Sequence, residues 1–225
     1  SMIDLGRKMG ITTWQNSDNY GLAITLGAAD VKMLDMATVY GVLANEGKRV
    51  DLNPILKLTD SKGNVLEEKK EMSQESKQVI DPGVAFILSN ILADNRARAM
   101  EFGTSSPLNI PNHYVSVKTG TSDNKRDNWT IGYTPDLVVA AWVGNNDNSP
   151  MSQALASGIT GAAPIWHNIM VSLLPQRTAS SSAIKPNAPS NIIQKDCIGR
   201  KEYFIKGTEN LVNCKFLQNS TPKPN

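Results

Sequence analysis

The segment from Tyr114 to Gly144 constrains the fold more than any other. Three strand-like stretches follow one another there, at residues 114–119, 129–133 and 137–143. The first alternates apolar and polar residues, as a half-buried strand does. The third is almost wholly apolar, which predicts a central strand covered on both faces. Thr134-Pro135-Asp136 leaves room only for a tight turn, so the second and third strands are expected to be antiparallel neighbours. A chain with this centre builds a sheet that needs helices to cover it.

The helices are legible on both sides. Residues 22–46 carry Val31, Leu34, Ala37, Val39 and Leu43 at helical spacing, with Asp30 as N-cap and Gly47 as stop. Asp81-Pro82 starts a second helix, because an acid caps the free N–H groups and proline fits the first turn. Its expected buried stripe is Val84, Ile87, Leu88, Ile91 and Leu92, and it should run to about Ala99. A third helix over 162–174 presents Ile165, Trp166, Ile169, Met170 and Leu173. Residues 55–58 and 65–66 flank Asp60-Ser61-Lys62-Gly63-Asn64, a hairpin signal, and a polar loop follows over 67–77. The fold class predicted is α+β, an antiparallel sheet flanked by helices.

Residues 178–191 are rich in Ser, Ala, Pro and Asn and read as a linker. Beyond them lies a small segment, 192–225, holding both cysteines, Cys197 and Cys214. Charge changes at the same place. Residues 178–225 carry seven Lys and Arg against three acids, although the whole chain has 23 against 21 and a net charge of +2. So small a net charge argues for neither nucleic acid nor an anionic membrane as partner. No apolar run reaches the length of a membrane-spanning helix. The opening Ser1-Met2 lacks the charged and apolar regions of a signal peptide and reads as following an internal cut.

The string with most chemical content is Lys118-Thr119-Gly120-Thr121 at the end of the first strand. A cation and two hydroxyls suit a carboxylate or an oxyanion, and glycine lets a ligand approach the backbone. Downstream stand Asp127-Asn128-Trp129, Gly132-Tyr133-Thr134-Pro135 and Val139-Ala140-Ala141-Trp142-Val143-Gly144, then Gly161-Ala162-Ala163-Pro164-Ile165-Trp166. Upstream stand Met9-Gly10-Ile11, Ala44-Asn45-Glu46-Gly47 and Gly103-Thr104. In this order they resemble the C-terminal part of the transpeptidase domain of class A, or bifunctional, penicillin-binding proteins, whose superfamily carries the Lys-Thr-Gly element.

The resemblance implies a partial penicillin-binding/β-lactamase-like domain over 3–175, truncated at its N-terminus, with 178–191 as linker and 192–225 as a C-terminal extension. It implies a peptidoglycan D,D-transpeptidase acting on stem peptides and acylated by β-lactams, with no cofactor. Lys118 would support the proton network and hold positive potential. Thr119 and Thr121 would bind the donor peptide's carboxylate, with Gly120 between them. The Thr121 N–H would form half of an oxyanion hole. Many relatives have Thr where this chain has Ser122. The domain would lie outside a bacterial cytoplasmic membrane, in the periplasm or cell-wall space. Membrane attachment, through an anchor, and a glycosyltransferase domain would lie upstream. In that compartment disulfides persist, so a Cys197–Cys214 bridge is expected.

The family's nucleophile is the serine of a Ser-x-x-Lys helix. Ser-x-x-Lys occurs at Ser122/Lys125, Ser182/Lys185 and Ser220/Lys223, close to what chance gives a chain with 19 Ser and 16 Lys. None opens a helix with an apolar face, which is needed to place the lysine one turn from a buried serine. Ser-Asp-Asn at Ser17–Asn19 and Ser122–Asn124 does not fit the family's Ser-x-Asn loop either. The chain alone is therefore expected not to be acylated. Its missing helices should leave apolar surface that favours self-association. Two other readings stay open: a non-enzymatic cell-envelope binding module carried by the basic tail, and a serine β-lactamase relative. Two histidines in different elements and two distant cysteines argue against a metal site.

Overall fold

A computed structural model describes residues 1–16, 20–68, 76–152, 157–175, 185–197, 199–212 and 214. Its centre is a three-stranded antiparallel sheet of β5 (Ser116–Thr121), β6 (Asp127–Thr134) and β7 (Leu137–Gly144), in that order. Val117 faces Gly132, and Gly132 faces Val139. β6 and β7 are joined at Thr134 and Leu137, as the Pro-Asp turn predicts.

The middle strand is β6, not the apolar β7. The apolar run of β7 has a different cause. Helix α5 (Ala162–Leu173) packs on one face of β7 and helix α2 (Met33–Ala44) on the other. Cover by helices on both faces asks for the same apolar run as a central position does.

Helix α5 buries Ala162, Ala163, Trp166 and Met170 against the sheet. They join Leu108, Ile110, Val115, Val117, Val139 and Ala141 in the main core. Trp166 is fully buried and crosses β6 at Gly132, where an added Cβ would overlap its ring. The glycine is required there by close approach, not by backbone angles.

Helix α3 (Pro82–Ala93) covers β5 on the opposite face. Asp81 caps it, accepting from the N–H groups of Gly83 and Val84 at 2.8 and 3.2 Å. The buried side differs from the expected stripe. It consists of Gly83, Ala85 and Ser89, while Val84, Leu88 and Ile91 are exposed. Small residues let the helix approach the strand closely, and Ser116 donates to the Ser89 carbonyl at 2.7 Å. The Ser89 hydroxyl in turn meets the Tyr133 hydroxyl at 2.7 Å. The helix stops at Asp94, and a short helix α4 (Ala99–Phe102) follows.

The predicted 22–46 helix is broken into two pieces. A 3-10 turn, Leu22–Leu26, ends at Gly27 in left-handed backbone, and α2 begins at Met33 after Lys32, not at Asp30. Helix α1 (Met2–Met9) forms a second small core in which Ile3 packs with Ile11, Trp14 and Ile24. Asp35 of α2 ties the two parts, accepting from the Thr12 N–H and hydroxyl at 2.7 and 2.8 Å.

Two short ladders lie outside this body. Strands β1 (Lys48–Arg49) and β4 (Lys77–Gln78) pair, and β2 (Lys57–Thr59) with β3 (Val65–Glu68) forms the expected hairpin. Of the polar loop, residues 69–75 lie outside the described residues. The C-terminal strands β8 (Ile192–Cys197) and β9 (Arg200–Ile205) form a second hairpin. It rests along α3, where Phe86 meets Tyr203 edge-on at 5.0 Å and Arg200 pairs with Asp94 at 3.2 Å. Pro186, Asn187 and Pro189, from the stretch that reads as linker, line a small cavity with Phe86, Tyr114 and Tyr133. Cys197 and Cys214 are joined by a disulfide, with Cα atoms 4.8 Å apart. Among the described residues no helix is long and apolar enough to cross a membrane.

Candidate active site

Lys118, Thr119, Gly120 and Thr121 are the last four residues of β5. Only β6 pairs with β5 among the described residues, so the strand presents an open edge. In an antiparallel pair, residues whose N–H and C=O face the partner alternate with residues whose groups face away. Arg98 Nη1 donates to the Val117 carbonyl at 3.0 Å, and Lys118 Nζ donates to the Thr119 carbonyl at 2.8 Å. On the other parity, the Ser122 N–H reaches back across the strand pair to the Asp127 carbonyl at 3.0 Å. Val117, Thr119 and Thr121 therefore turn their peptide groups to the open edge.

The side chains divide between the two faces. Val117 belongs to the core under α5, and Thr119 and Thr121 point the same way by the period of a strand. Lys118 and Gly120 lie on the α3 face. Lys118 and Thr121 are exposed, and Thr119 and Gly120 are half-buried. Gly120 is not demanded by packing: an added Cβ would sit 3.6 Å from Trp129 Cβ, an ordinary contact.

Two neighbours brace this strand. Arg98 bridges the Val117 carbonyl and the Leu92 carbonyl at the end of α3, the latter through Nη2 at 2.7 Å. Burial lowers the pKa of this guanidinium, and Asp94 works against that. On the other side, the Gly158 N–H donates to Thr121 Oγ1 at 3.0 Å. Neither Arg98 nor Gly158 stands out in the sequence. The available signal for the second was a pair of glycines, Gly158 and Gly161, just ahead of a helix.

Past the strand, Ser122 precedes a 3-10 turn, Asp123–Lys125, and Lys125 ends it. The Ser122 hydroxyl is spent on Asp127, donating to Oδ2 at 2.8 Å and accepting from the Asp127 N–H at 2.8 Å. Trp142 Nε1 holds the other oxygen of Asp127 at 2.9 Å. The pair lies in a tight turn, with the serine hydroxyl bonded to Asp127. Ser182, Ser220 and residues 17–19 lie outside the described residues. Both histidines bond backbone carbonyls, His113 those of Pro111 and Pro175 and His167 that of Pro107. Among the described residues no three His, Cys, Asp or Glu side chains gather in a way that could hold a metal ion.

Residues 4–171 match the family model of the penicillin binding protein transpeptidase domain. The chain belongs to this family. Penicillin-binding protein 1A of Aquifex aeolicus is 30% identical over 224 residues, covering 96% of this chain and 29% of that protein. Penicillin-binding protein 1A of Clostridium botulinum is 30% identical over 223 residues, covering 92% of the chain and 26% of that protein. The chain thus spans under a third of the length of these relatives. Among solved structures, penicillin-binding protein 1A of Haemophilus influenzae superposes with a TM-score of 0.73 at 26% identity, over 92% of this chain and 36% of that one. The PonA1 protein of Mycobacterium tuberculosis, solved in complex with penicillin V, superposes with a TM-score of 0.60. At 23% identity that second likeness shows the fold alone, over 82% of this chain and 51% of that one.

Proposed function

We propose that this chain carries the substrate-binding strand of a serine D,D-transpeptidase that cross-links peptidoglycan outside the bacterial cytoplasmic membrane. The observation that carries the reading is the open edge of β5. Thr119 and Thr121 turn their peptide groups outward there, with two hydroxyls on one face and the Lys118 ammonium on the other. A peptide ending in a carboxylate finds hydroxyl donors, a cation and outward-facing backbone N–H groups within one short stretch.

In the proposed reaction, a serine attacks the carbonyl between two terminal D-alanines. The Thr121 N–H donates to the oxygen that becomes negative in the tetrahedral intermediate. The C–N bond breaks, D-alanine leaves with a proton on its amine, and an acyl-serine remains. An amine of a second stem peptide then displaces the serine. Lys118 holds positive potential over the departing groups.

The attacking serine is not among the residues of this chain. The Ser122 hydroxyl is committed to Asp127, and among the described residues no Ser-x-x-Lys opens an apolar-faced helix. We assign the nucleophile, the glycosyltransferase and the membrane anchor to segments beyond this chain. The exposed Val84, Leu88 and Ile91 on α3 belong in this reading to an apolar surface through which the chain self-associates, which light scattering tests. Intact-mass measurement after incubation with benzylpenicillin tests the central claim. An unshifted mass is expected, and a covalent adduct on the 225-residue chain overturns the assignment.

A further inference from the structure

The turn that enters α5 is clamped onto the end of β5 and β6. Gly158 is buried, and both of its peptide groups are engaged. Its N–H donates to Thr121 Oγ1 at 3.0 Å. Its carbonyl accepts from Thr130 Oγ1 at 3.3 Å and from the Ala163 N–H at 2.9 Å. The next turn is fixed as well, because the Ala162 N–H donates to Asn128 Oδ1 at 2.9 Å. Gly158 has no room for a side chain. An added Cβ would lie 2.8 Å from Thr119 Cβ and 3.1 Å from the Trp129 carbonyl oxygen.

We infer that Gly158 is a positioning residue for carboxylate recognition by Thr121. This rests on the reading of β5 as the carboxylate-binding strand. A free hydroxyl rotates, and its proton has no preferred direction. Once the oxygen accepts the Gly158 N–H, the hydroxyl's own proton is directed away from that bond. Thr121 is exposed, so the directions left open to that proton include the solvent side of the strand, where a ligand carboxylate would lie. Donating to an anion also makes the same oxygen a better acceptor, so carboxylate binding and the Gly158 bond strengthen one another. The lack of a side chain serves the same end, since the loop can approach Thr119 and Thr121 this closely only without a Cβ.

The test uses the 225-residue chain and two probes, the peptide Lys-D-Ala-D-Ala with a free carboxylate and the same peptide amidated. Amide NMR shifts report both affinities. Wild type is expected to prefer the carboxylate. Gly158→Ala should lower carboxylate affinity about threefold to tenfold, the range of one hydrogen bond, and leave amide affinity unchanged. Thr121→Ser keeps the hydroxyl and should retain the preference, and Thr121→Val should weaken it at least as much as Gly158→Ala, with Lys118 and Thr119 keeping the remainder. A measurement on the wild type alone covers the case in which Gly158→Ala fails to fold: hydrogen exchange at the Gly158 amide should slow on adding the carboxylate peptide and not on adding the amide. Equal wild-type affinity for both peptides overturns the reading of the site and this inference with it. A wild type that discriminates, beside a Gly158→Ala that discriminates equally well or a Gly158 amide indifferent to the carboxylate, overturns the inference alone.

Discussion

Asn191 Nδ2 donates to both carboxylate oxygens of Asp81, 110 positions earlier in the chain, at 2.9 and 3.1 Å. The same carboxylate caps α3. One acid therefore starts the helix that backs β5 and holds the chain where it enters the C-terminal hairpin. The Asn191 side chain is the foremost cause lowering the Asp81 pKa below 3.8, followed among the lowering causes by the Val84 and Gly83 N–H groups. An acid depressed in the folded state contributes stability above its unfolded pKa and loses it as pH falls through the folded value. Asn191→Ala should move the Asp81 midpoint up toward 3.8, read by carboxyl carbon NMR. An unchanged midpoint would mean that the hairpin does not rest on this cap. Asp81→Ala removes the cap itself and should cost about 1 kcal/mol in urea unfolding.

Gly132 and Trp166 are mutually dependent. The indole is fully buried over the glycine, and the Ser116 carbonyl oxygen lies 2.9 Å from where a Cβ would stand. Gly132→Ala must push the ring or the strand aside, which costs about 1–3 kcal/mol. Trp166→Ala empties the same space and should cost about 3–5 kcal/mol. The double variant should be more stable than the two losses added together, because removing the indole relieves the ring clash and leaves only the Ser116 carbonyl close to the new methyl. Strict additivity in denaturant titrations would show that the two do not share that space.

Much of the body is legible from local pattern. The β6–β7 turn, the helix after Asp81-Pro82 and the helix over 162–174 all follow from neighbours in sequence. The errors share one physical origin, which is that packing partners are distant. The apolar run of β7 signals cover on both faces and says nothing of its place in the sheet. The larger apolar residues of α3 read as its buried stripe, yet the helix turns Gly83, Ala85 and Ser89 to β5 because close approach favours small side chains. The site divides in the same way. Lys118 to Thr121 stand out because four adjacent residues concentrate one chemistry. Gly158 lies 37 residues from Thr121, and a glycine chosen for close approach leaves no mark in its own neighbourhood beyond the second glycine, Gly161, ahead of the helix.

The C-terminal hairpin gives a third expectation. The Cys197–Cys214 disulfide closes a loop with a sequence separation of 17, next to the strand whose partner carries Arg200 and Tyr203. Cys214→Ser should destabilise the hairpin by about 3 kcal/mol in the chain-entropy account. Phe86→Ala removes the ring against Tyr203 and should loosen the same hairpin with the disulfide intact. Both variants should speed amide exchange in β8 and β9 more than in β6. Thiol titration of denatured, unreduced wild type should find no free thiol at these two positions.

Alkaline unfolding should depend most on one largely enclosed phenol. Tyr40 of α2 has its pKa pushed up to about 12, first by burial and then by Tyr133, whose ring it meets edge-on at 6.0 Å. The unfolded value is 10.0, so the folded state keeps the proton longer. The stabilisation is therefore complete below pH 10 and is lost as pH rises toward 12. A shift of that size corresponds to about 2–3 kcal/mol between the two protonation states. Tyr133 is raised as well, with burial the main cause and its Ser89 bond acting in the opposite direction. Tyr40→Phe should consequently flatten the fall in stability between pH 10 and 12 without abolishing it, because the Tyr133 part remains. Urea titrations of wild type and Tyr40→Phe at pH 9 and pH 11 decide the matter. If the two proteins lose the same stability over that interval, the Tyr40 phenol is not the group that titrates.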